Sequence, residues 1–546
     1  MTERLQNWLT IQAERRPEAC ALVCNGQRAT YGELEQMSNR LARALKAAGC
    51  RRGDRVALLL PKSIQAITGM LAALKADCCY VPLDTASPAA RLARILEVCE
   101  SRCVLANGST AASLNALATQ GILECIPPVG WMDGGATLEH GGTAAFYWGD
   151  VFRLPGSPVN SQNSSTDPTH ILFTSGSTGV PKGVVITRAN VIHFVTWATQ
   201  HFGIGTSDRL SENPPLHFDL STFDIFGTIA AGAQLHLMPP ELSVLPHRLA
   251  AFIRNSELTQ WFSVPAILNH MAQFDAVRQN DFPSLRRLLW CGEKFPTPAL
   301  MYWMRRLPHA SFFNLYGPTE ATIASSHYRV PRFPETETEE IPIGEPCAGE
   351  QLLVLNEQLQ PVGCGDVGDL YISGVGLSPG YWREPEKTGA AFLANPGAAD
   401  PHDRIYKTGD LAKVGNDGSI YLVGRADSQI KSRGYRIELG EIETAVHALP
   451  GVQEAAVVAV ESPGLEGAAI GCAYVAAPGS APTVLSLKKH LAQVLPQYML
   501  PSRWMALKTM PRNGKADRPW LKEQFRQRVA VTATGGLIEE EAFNVV

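Results

Sequence analysis

The chain has 546 residues, 45% of them hydrophobic and 18% charged, with 48 Lys and Arg against 52 Asp and Glu. Such a composition is ordinary for a globular protein, and the length calls for several cores, or one multi-lobed unit plus a smaller domain. A net charge of −4 with no basic run argues against nucleic acid as the main partner. No apolar run approaches the ~20 residues of a membrane span, and the first residues lack the apolar stretch of a secretory leader, so the expected setting is cytoplasmic and away from the membrane.

In chain order, Glu33 to Ala48 carries Leu34, Met37, Leu41, Ala44 and Leu45 at helical spacing. Residues 55–60 read as a buried strand, 62–77 as a helix and 78–81 as another strand. Pro88 opens a helix running to about Glu100, and Cys103 to Leu105 closes the run. This alternation predicts a parallel sheet covered on both faces. Residues 126–168 show no sustained period and read as a long surface excursion. Alternation resumes from 171 to about 330, and residues 341–424 read as short strands with Gly-rich turns, a β-rich subdomain. Beyond Asp427 a helix over 438–449, strands over 452–460 and 470–476 and a helix over 484–494 predict a small α+β domain. The expected fold is therefore α/β: a large N-terminal core over 1–426, a small C-terminal domain over 427–530 and a flexible tail over 531–546.

The 12 cysteines include no C-x-x-C pair and no Cys/His cluster at zinc spacing. They read as reduced core thiols.

The most informative stretch follows Ile171-Leu172-Phe173. Thr174-Ser175-Gly176-Ser177-Thr178-Gly179 places three kinds of anion donor close together: hydroxyls, backbone N–H groups and, at Lys182, an ammonium. Glycines allow the φ > 0 conformations that turn successive N–H groups inward. Gly183 stands where a Walker A loop needs Ser or Thr, so the stretch is not that motif. By itself it reads equally as a phosphate loop or a surface turn.

Further stretches decide between these. They are Thr30-Tyr31-Gly32-Glu33-Leu34, Tyr80-Val81-Pro82-Leu83-Asp84, Phe218-Asp219-Leu220-Ser221 and Asn314-Leu315-Tyr316-Gly317-Pro318-Thr319-Glu320. After these come Gly374-Val375-Gly376 leading to Gly380-Tyr381, Tyr406-Lys407-Thr408-Gly409-Asp410 and Gly424-Arg425-Ala426-Asp427. The last two are Lys431-Ser432-Arg433-Gly434-Tyr435 and Asn513-Gly514-Lys515. In this order and spacing they resemble the adenylation domains of nonribosomal peptide synthetases, within the AMP-forming acyl-activating superfamily. The resemblance covers about residues 5–525 and implies a large and a small lobe joined at a hinge. It also implies a two-step reaction: a carboxylate attacks the α-phosphate of ATP, and a phosphopantetheine thiol then takes the acyl group from the adenylate.

Residue by residue, the resemblance implies that Thr174, Ser175, Gly176, Ser177, Thr178, Gly179 and Lys182 hold the outgoing phosphates. Tyr316 would stack on or beside the adenine, with Asn314 and Gly317 also at the nucleotide, Thr319 on the α-phosphate and Glu320 on Mg²⁺. Asp410 would hold the ribose hydroxyls, with Arg425 nearby. Lys515 would bridge the substrate carboxylate and the α-phosphate. Asp427 would be the hinge, with Lys431, Arg433 and Gly434 serving thiolation. An aromatic that relatives carry three residues before the Arg425 position is Leu422 here, with Tyr421 one earlier.

Asp219 would pair with a substrate ammonium, which favours an amino acid over a plain acid, since an unpaired buried carboxylate is costly. The implied side-chain pocket is Leu220, Phe223, Phe262, Leu289, Cys291, Leu315, Ile323 and Ala324. None of these is charged, so the expected substrate is small or medium aliphatic: alanine, 2-aminobutyrate, valine or leucine. The alternatives are a β-amino acid, an acyl-CoA ligase and a silent scaffold. Within the sequence no phosphopantetheine attachment motif follows Arg518. The expectation is a freestanding monomeric enzyme that uses ATP and Mg²⁺ and loads a separate carrier protein.

Overall fold

The computed structural model describes residues 4–119, 126–136, 138, 142–176, 181–400, 402–461, 468–513 and 515–533. It divides into two compact units. One comprises Met1–Thr85, Leu96–Phe173 and Gly183–Asp427; the other gathers Ala86–Ile95, Thr174–Lys182 and Ser428–Val546.

The larger unit is built on three sheets. A nine-stranded sheet runs in the order Glu345–Pro346, Ser326–Arg329, Ser311–Tyr316, Arg287–Trp290, Gln260–Ser263, Arg209–Glu212, Gln234–Leu237, Cys20–Cys24, Gln27–Thr30. Its centre is parallel and its edges antiparallel. An eight-stranded sheet contains the alternating strands read from the sequence, with Arg55–Leu59 between Cys79–Pro82 and Ser101–Ala106. A five-stranded antiparallel sheet spans Glu350–Arg425. The fold is the expected α/β class, including the β-rich part.

Local chemistry explains the element starts. Thr30 caps helix Tyr31–Ala47 in a reciprocal box: Glu33 N–H donates to Thr30 Oγ1 at 3.1 Å, and Thr30 N–H donates to Glu33 Oε2 at 2.8 Å. Tyr31 then buries its ring and donates to Ala233 O at 2.7 Å, which ties the helix to the nine-stranded sheet.

Strand alternation sorts the nine-stranded sheet into two cores. Phe262, Leu289 and Leu315 face one cluster, while Trp261, Leu288, Trp290 and Phe312 face another. The stretch 126–168 is not simply the surface excursion expected. Val129–Trp131 and Ala144–Tyr147 extend the eight-stranded sheet in parallel beyond Ser101–Ala106. Strands of three and four residues fall short of the run of alternation that marks a strand in sequence, so the pattern carries no visible period.

In the smaller unit, Val452–Glu461, Ala468–Ala476 and Arg503–Leu507 form a three-stranded sheet accompanied by helices Leu439–His447, Val484–Leu491 and Arg518–Ala533. The cysteines among the described residues are all free, but Cys364 is exposed and Cys20 and Cys24 are half-buried, so not all are core thiols. Cys364 sits in the turn before strand Val367–Gly374, where its Sγ lies 3.5 Å from Val414 O. No described helix is long and apolar enough to cross a membrane.

Candidate active site

The side-chain wall assembles through sheet register. Phe262 pairs with Leu289 and Leu289 with Phe313 across parallel strands, so all three point to the same face. Cys291 and Leu315 lie two residues further along their chains and therefore share that face. Helix Leu220–Ala231 covers it, and Phe223 meets Phe262 edge-on at 5.8 Å between centroids. Ile323 and Ala324 complete the group. All eight residues expected to line the pocket belong to one buried cluster, each at 5% exposure or less.

Asp219 immediately precedes helix Leu220–Ala231 and is half-buried, and its side chain does not cap the helix. Ser221 Oγ donates to Phe218 O at 2.6 Å, which fixes the turn that presents Asp219.

A second group comes from the hairpin Arg404–Val414/Ile420–Arg425, where Asp410 stands directly opposite Arg425. Arg425 Nη1 donates to Asp410 Oδ1 at 2.7 Å, and its Nε and Nη2 donate to the two oxygens of Asp427 at 2.8 and 2.6 Å. Tyr316 OH donates to Asp410 Oδ2 at 2.6 Å. Burial and the adjacent carboxylate push the Tyr316 hydroxyl well above its ordinary range, so it stays a donor. The Tyr316 ring packs among Ala321, Ile343, Val354 and Leu370. Its bond to Asp410 was not implied by the sequence. Tyr421, beside the departure noted above, donates to Asp417 Oδ2 at 2.9 Å and so belongs to the hairpin turn.

Glu320 and Thr319 lie in the single turn Thr319–Ala321 that follows strand Ser311–Tyr316. Glu320 is fully buried and accepts from Tyr381 OH at 2.8 Å. Asn314 Nδ2 donates to Pro342 O at 2.8 Å, anchoring the same strand. Gly317 is required by close approach, since a Cβ there would stand 2.5 Å from Ala324 Cα. Magnesium usually takes one or two carboxylates and draws its other ligands from phosphates and water. The carboxylate of Glu320 and the hydroxyl of Thr319 are oxygen donors of that kind.

Within the smaller unit, Ser175 Oγ donates to Arg436 O at 2.6 Å, and Gly176 N–H donates to Glu441 Oε2 at 3.2 Å. Glu441 also pairs with Arg91 at 2.6 Å, both nearly fully buried. Thr174 ends strand Pro168–Thr174 and Lys182 begins strand Lys182–Thr187. Ser177, Thr178 and Gly179 lie outside the described residues. Lys431, Arg433 and Gly434 belong to the ribbon Gln429–Ser432/Tyr435–Glu438, whose turn residues Arg433 and Gly434 have φ of 53° and 81°, the handedness that tight hairpins need. Lys515 starts the two-residue strand Lys515–Ala516, paired with Arg512–Asn513.

Three residues were given no role from the sequence. Tyr381 stood inside a quoted motif and was visible. Thr408 donates to Leu370 O at 2.7 Å, and its Oγ1 accepts from Asp410 N–H at 3.0 Å. Glu350 is buried and accepts from Gly376 N–H at 2.7 Å; desolvation pushes its carboxyl up to about 7.

Residues 9–382 match the AMP-binding enzyme family, and residues 441–516 match the AMP-binding enzyme C-terminal domain. The chain belongs to the AMP-binding enzymes. Tyrocidine synthase 3 of Brevibacillus parabrevis is 35% identical over 511 residues, covering 93% of this chain and 7% of that protein. The dimodular nonribosomal peptide synthase of Bacillus subtilis (strain 168) is 36% identical over 521 residues, covering 94% of this chain and 20% of that protein. The chain thus spans a small part of the length of these relatives. Among solved structures, the Vibrio cholerae adenylation domain AlmE, in complex with glycyl-adenosine-5'-phosphate, superposes with a TM-score of 0.82 at 24% identity, covering 96% of this chain and 98% of that one. IdnL1 gives 0.75 at 28% identity, with 94% and 99% covered.

Proposed function

We propose that this AMP-binding enzyme activates an amino acid with ATP, releasing pyrophosphate, and passes the aminoacyl group from the adenylate to the phosphopantetheine thiol of a separate carrier protein. The observation that carries this reading is the gathering of eight apolar residues into one buried cluster that includes the start of the helix following Asp219. A carboxylate next to an apolar wall suits an ammonium next to an aliphatic side chain. The substrate is therefore a small or medium aliphatic amino acid of the alanine, 2-aminobutyrate, valine or leucine type.

In this reading Asp410 accepts the ribose hydroxyls, with Tyr316 and Arg425 holding its carboxylate. Thr174, Ser175, Gly176, Ser177, Thr178, Gly179 and Lys182 bind the outgoing phosphates, and Asn314 and Gly317 shape the adenine side. Thr319 meets the α-phosphate and Glu320 holds Mg²⁺, which offsets charge on the departing pyrophosphate. Lys515 bridges the two reacting anions. An amino acid's carboxylate is already ionised near neutral pH, so positioning and electrostatics carry the step and no general base is required. Asp427 is the hinge between a core over 1–426 and a domain over 427–530, and Lys431, Arg433 and Gly434 serve the thiolation state. The enzyme works as a monomer in the cytoplasm.

Amino-acid-dependent ATP–pyrophosphate exchange across aliphatic, aromatic, D- and β-amino acids and plain acids tests the reading. Strong exchange with one small aliphatic amino acid is expected. Exchange only with acids lacking an amino group would replace it with an acyl-CoA ligase and remove the role of Asp219. Lys515→Ala should abolish most exchange while ATP still binds.

A further inference from the structure

Glu320 and Tyr381 meet in a dry place. The phenol donates to Glu320 Oε1 at 2.8 Å, with Glu320 at 0% and Tyr381 at 7% exposure. The turn that carries Glu320 is strained. Thr322 and Ile323, both β-branched, adopt φ of 58° and 74°. Ala324 N–H donates to Thr322 O at 2.9 Å, closing a γ-turn around Ile323. Such backbone costs on the order of 1–3 kcal/mol per residue and persists only where surrounding contacts impose it.

Three of those contacts come from one segment. Ser378 N–H donates to Glu320 O at 2.8 Å, Thr322 Oγ1 donates to Gly376 O at 2.6 Å, and Tyr381 closes the set. The segment is itself fixed. Gly380 and Tyr381 pair antiparallel with Val185 and Val184, Tyr381 N–H donates to Thr388 Oγ1 at 3.0 Å, and the ring meets Phe392 edge-on at 5.9 Å. The phenol is also the right chemistry for a carboxylate that must attract a cation. It is neutral, so it orients Glu320 without cancelling its charge, as a Lys or Arg would.

We propose that Tyr381 is a positioning residue for Glu320: it holds the carboxylate in the orientation that a divalent cation on the nucleotide phosphates requires. The inference rests on reading Glu320 as the metal ligand. Partners that orient a metal-bound carboxylate change metal affinity by about 10–100-fold when lost.

The test is Mn²⁺ binding to the full chain in the presence of a non-hydrolysable ATP analogue, followed by electron paramagnetic resonance. Tyr381→Phe removes one oxygen and keeps the ring against Phe392. It should weaken Mn²⁺ binding about tenfold, leave metal-free binding of the analogue unchanged, and leave the KM for the amino acid unchanged in exchange assays. In a Glu320→Gln background the same substitution should shift nothing further. An identical Mn²⁺ midpoint in wild type and Tyr381→Phe overturns the proposal, as does an equal shift with and without Glu320. A variant that folds poorly is still decided by that second comparison, since a general loss of structure acts in both backgrounds. Failure of the wild-type chain to bind Mn²⁺ with the analogue would instead refute the role of Glu320 itself.

Discussion

The apolar wall and the Asp410–Arg425 group occupy the same unit but are made by opposite means. The wall draws residues from five separate stretches between 220 and 324, brought together largely by parallel strand register and one covering helix. The polar group is nearly local. Asp410 and Arg425 face each other across one antiparallel hairpin, and Arg425 reaches Asp427 two residues on. Register in a buried sheet is set by the whole core, because a slip of one residue turns every side chain to the wrong face. A hairpin pair needs only its own turn. The wall should therefore be costly to damage in stability, and the polar group costly mainly in ligand binding.

The largest expected effect follows from truncating the wall. Phe262→Ala removes a buried ring and should cost about 3–5 kcal/mol in urea unfolding, while amino acid preference shifts towards larger side chains in the exchange assay. A loss under ~1 kcal/mol would mean that the wall is loosely packed and the contrast fails.

Next is a pH effect at Glu350, which faces Gly376 N–H and lies 3.7 Å from His193 Nε2. Its carboxyl is raised from 4.5 to about 7, so between these values the folded chain holds a proton that the unfolded chain releases. Its contribution to stability is full below pH 4.5 and falls as pH rises through 7, by up to about 3 kcal/mol. Denaturant titrations at pH 5 and pH 8 should show Glu350→Gln losing less stability than wild type over that interval. Parallel pH dependence in the two proteins would remove the assignment.

Asp219→Ala should lower kcat/KM for the amino acid about 100-fold, the loss of one charge-assisted contact of about 2–3 kcal/mol, with the urea midpoint barely changed. Unchanged kinetics would end the ammonium assignment. The smallest effect is expected at the hairpin. Arg425→Ala should weaken ATP binding several-fold and cost about 1–2 kcal/mol in stability: the Asp427 arm of its ion pair is solvent-exposed, and the nearly buried Asp410 loses a cation but keeps the Tyr316 hydroxyl. A stability loss matching that of Phe262→Ala would erase the distinction between the two regions.

Much of this was readable in the sequence because short motifs encode local geometry. The cap at Thr30 and Glu33, the strand before Thr174, and the hairpin-end residues Asp410 and Arg425 all express contacts within a few residues or within one hairpin. The nine ordered stretches were enough to indicate the family. Other features had no local signature. The strands Val129–Trp131 and Ala144–Tyr147 are too short to show a period and exist because a sheet edge is available to them.

Cysteine counts likewise say nothing about depth, so exposed Cys364 could not be told from buried Cys472. The bonds Tyr316–Asp410 and Tyr381–Glu320 span 94 and 61 residues. The raised carboxyl of Glu350 likewise comes from burial by distant chain. By itself, then, the sequence determined the α/β alternation, the family and the chemical type of each site residue, since these depend on spacing and side-chain identity. Which hydroxyl meets which carboxylate, and how dry each meeting is, only the tertiary structure decided, because both depend on packing between segments that the chain order keeps apart.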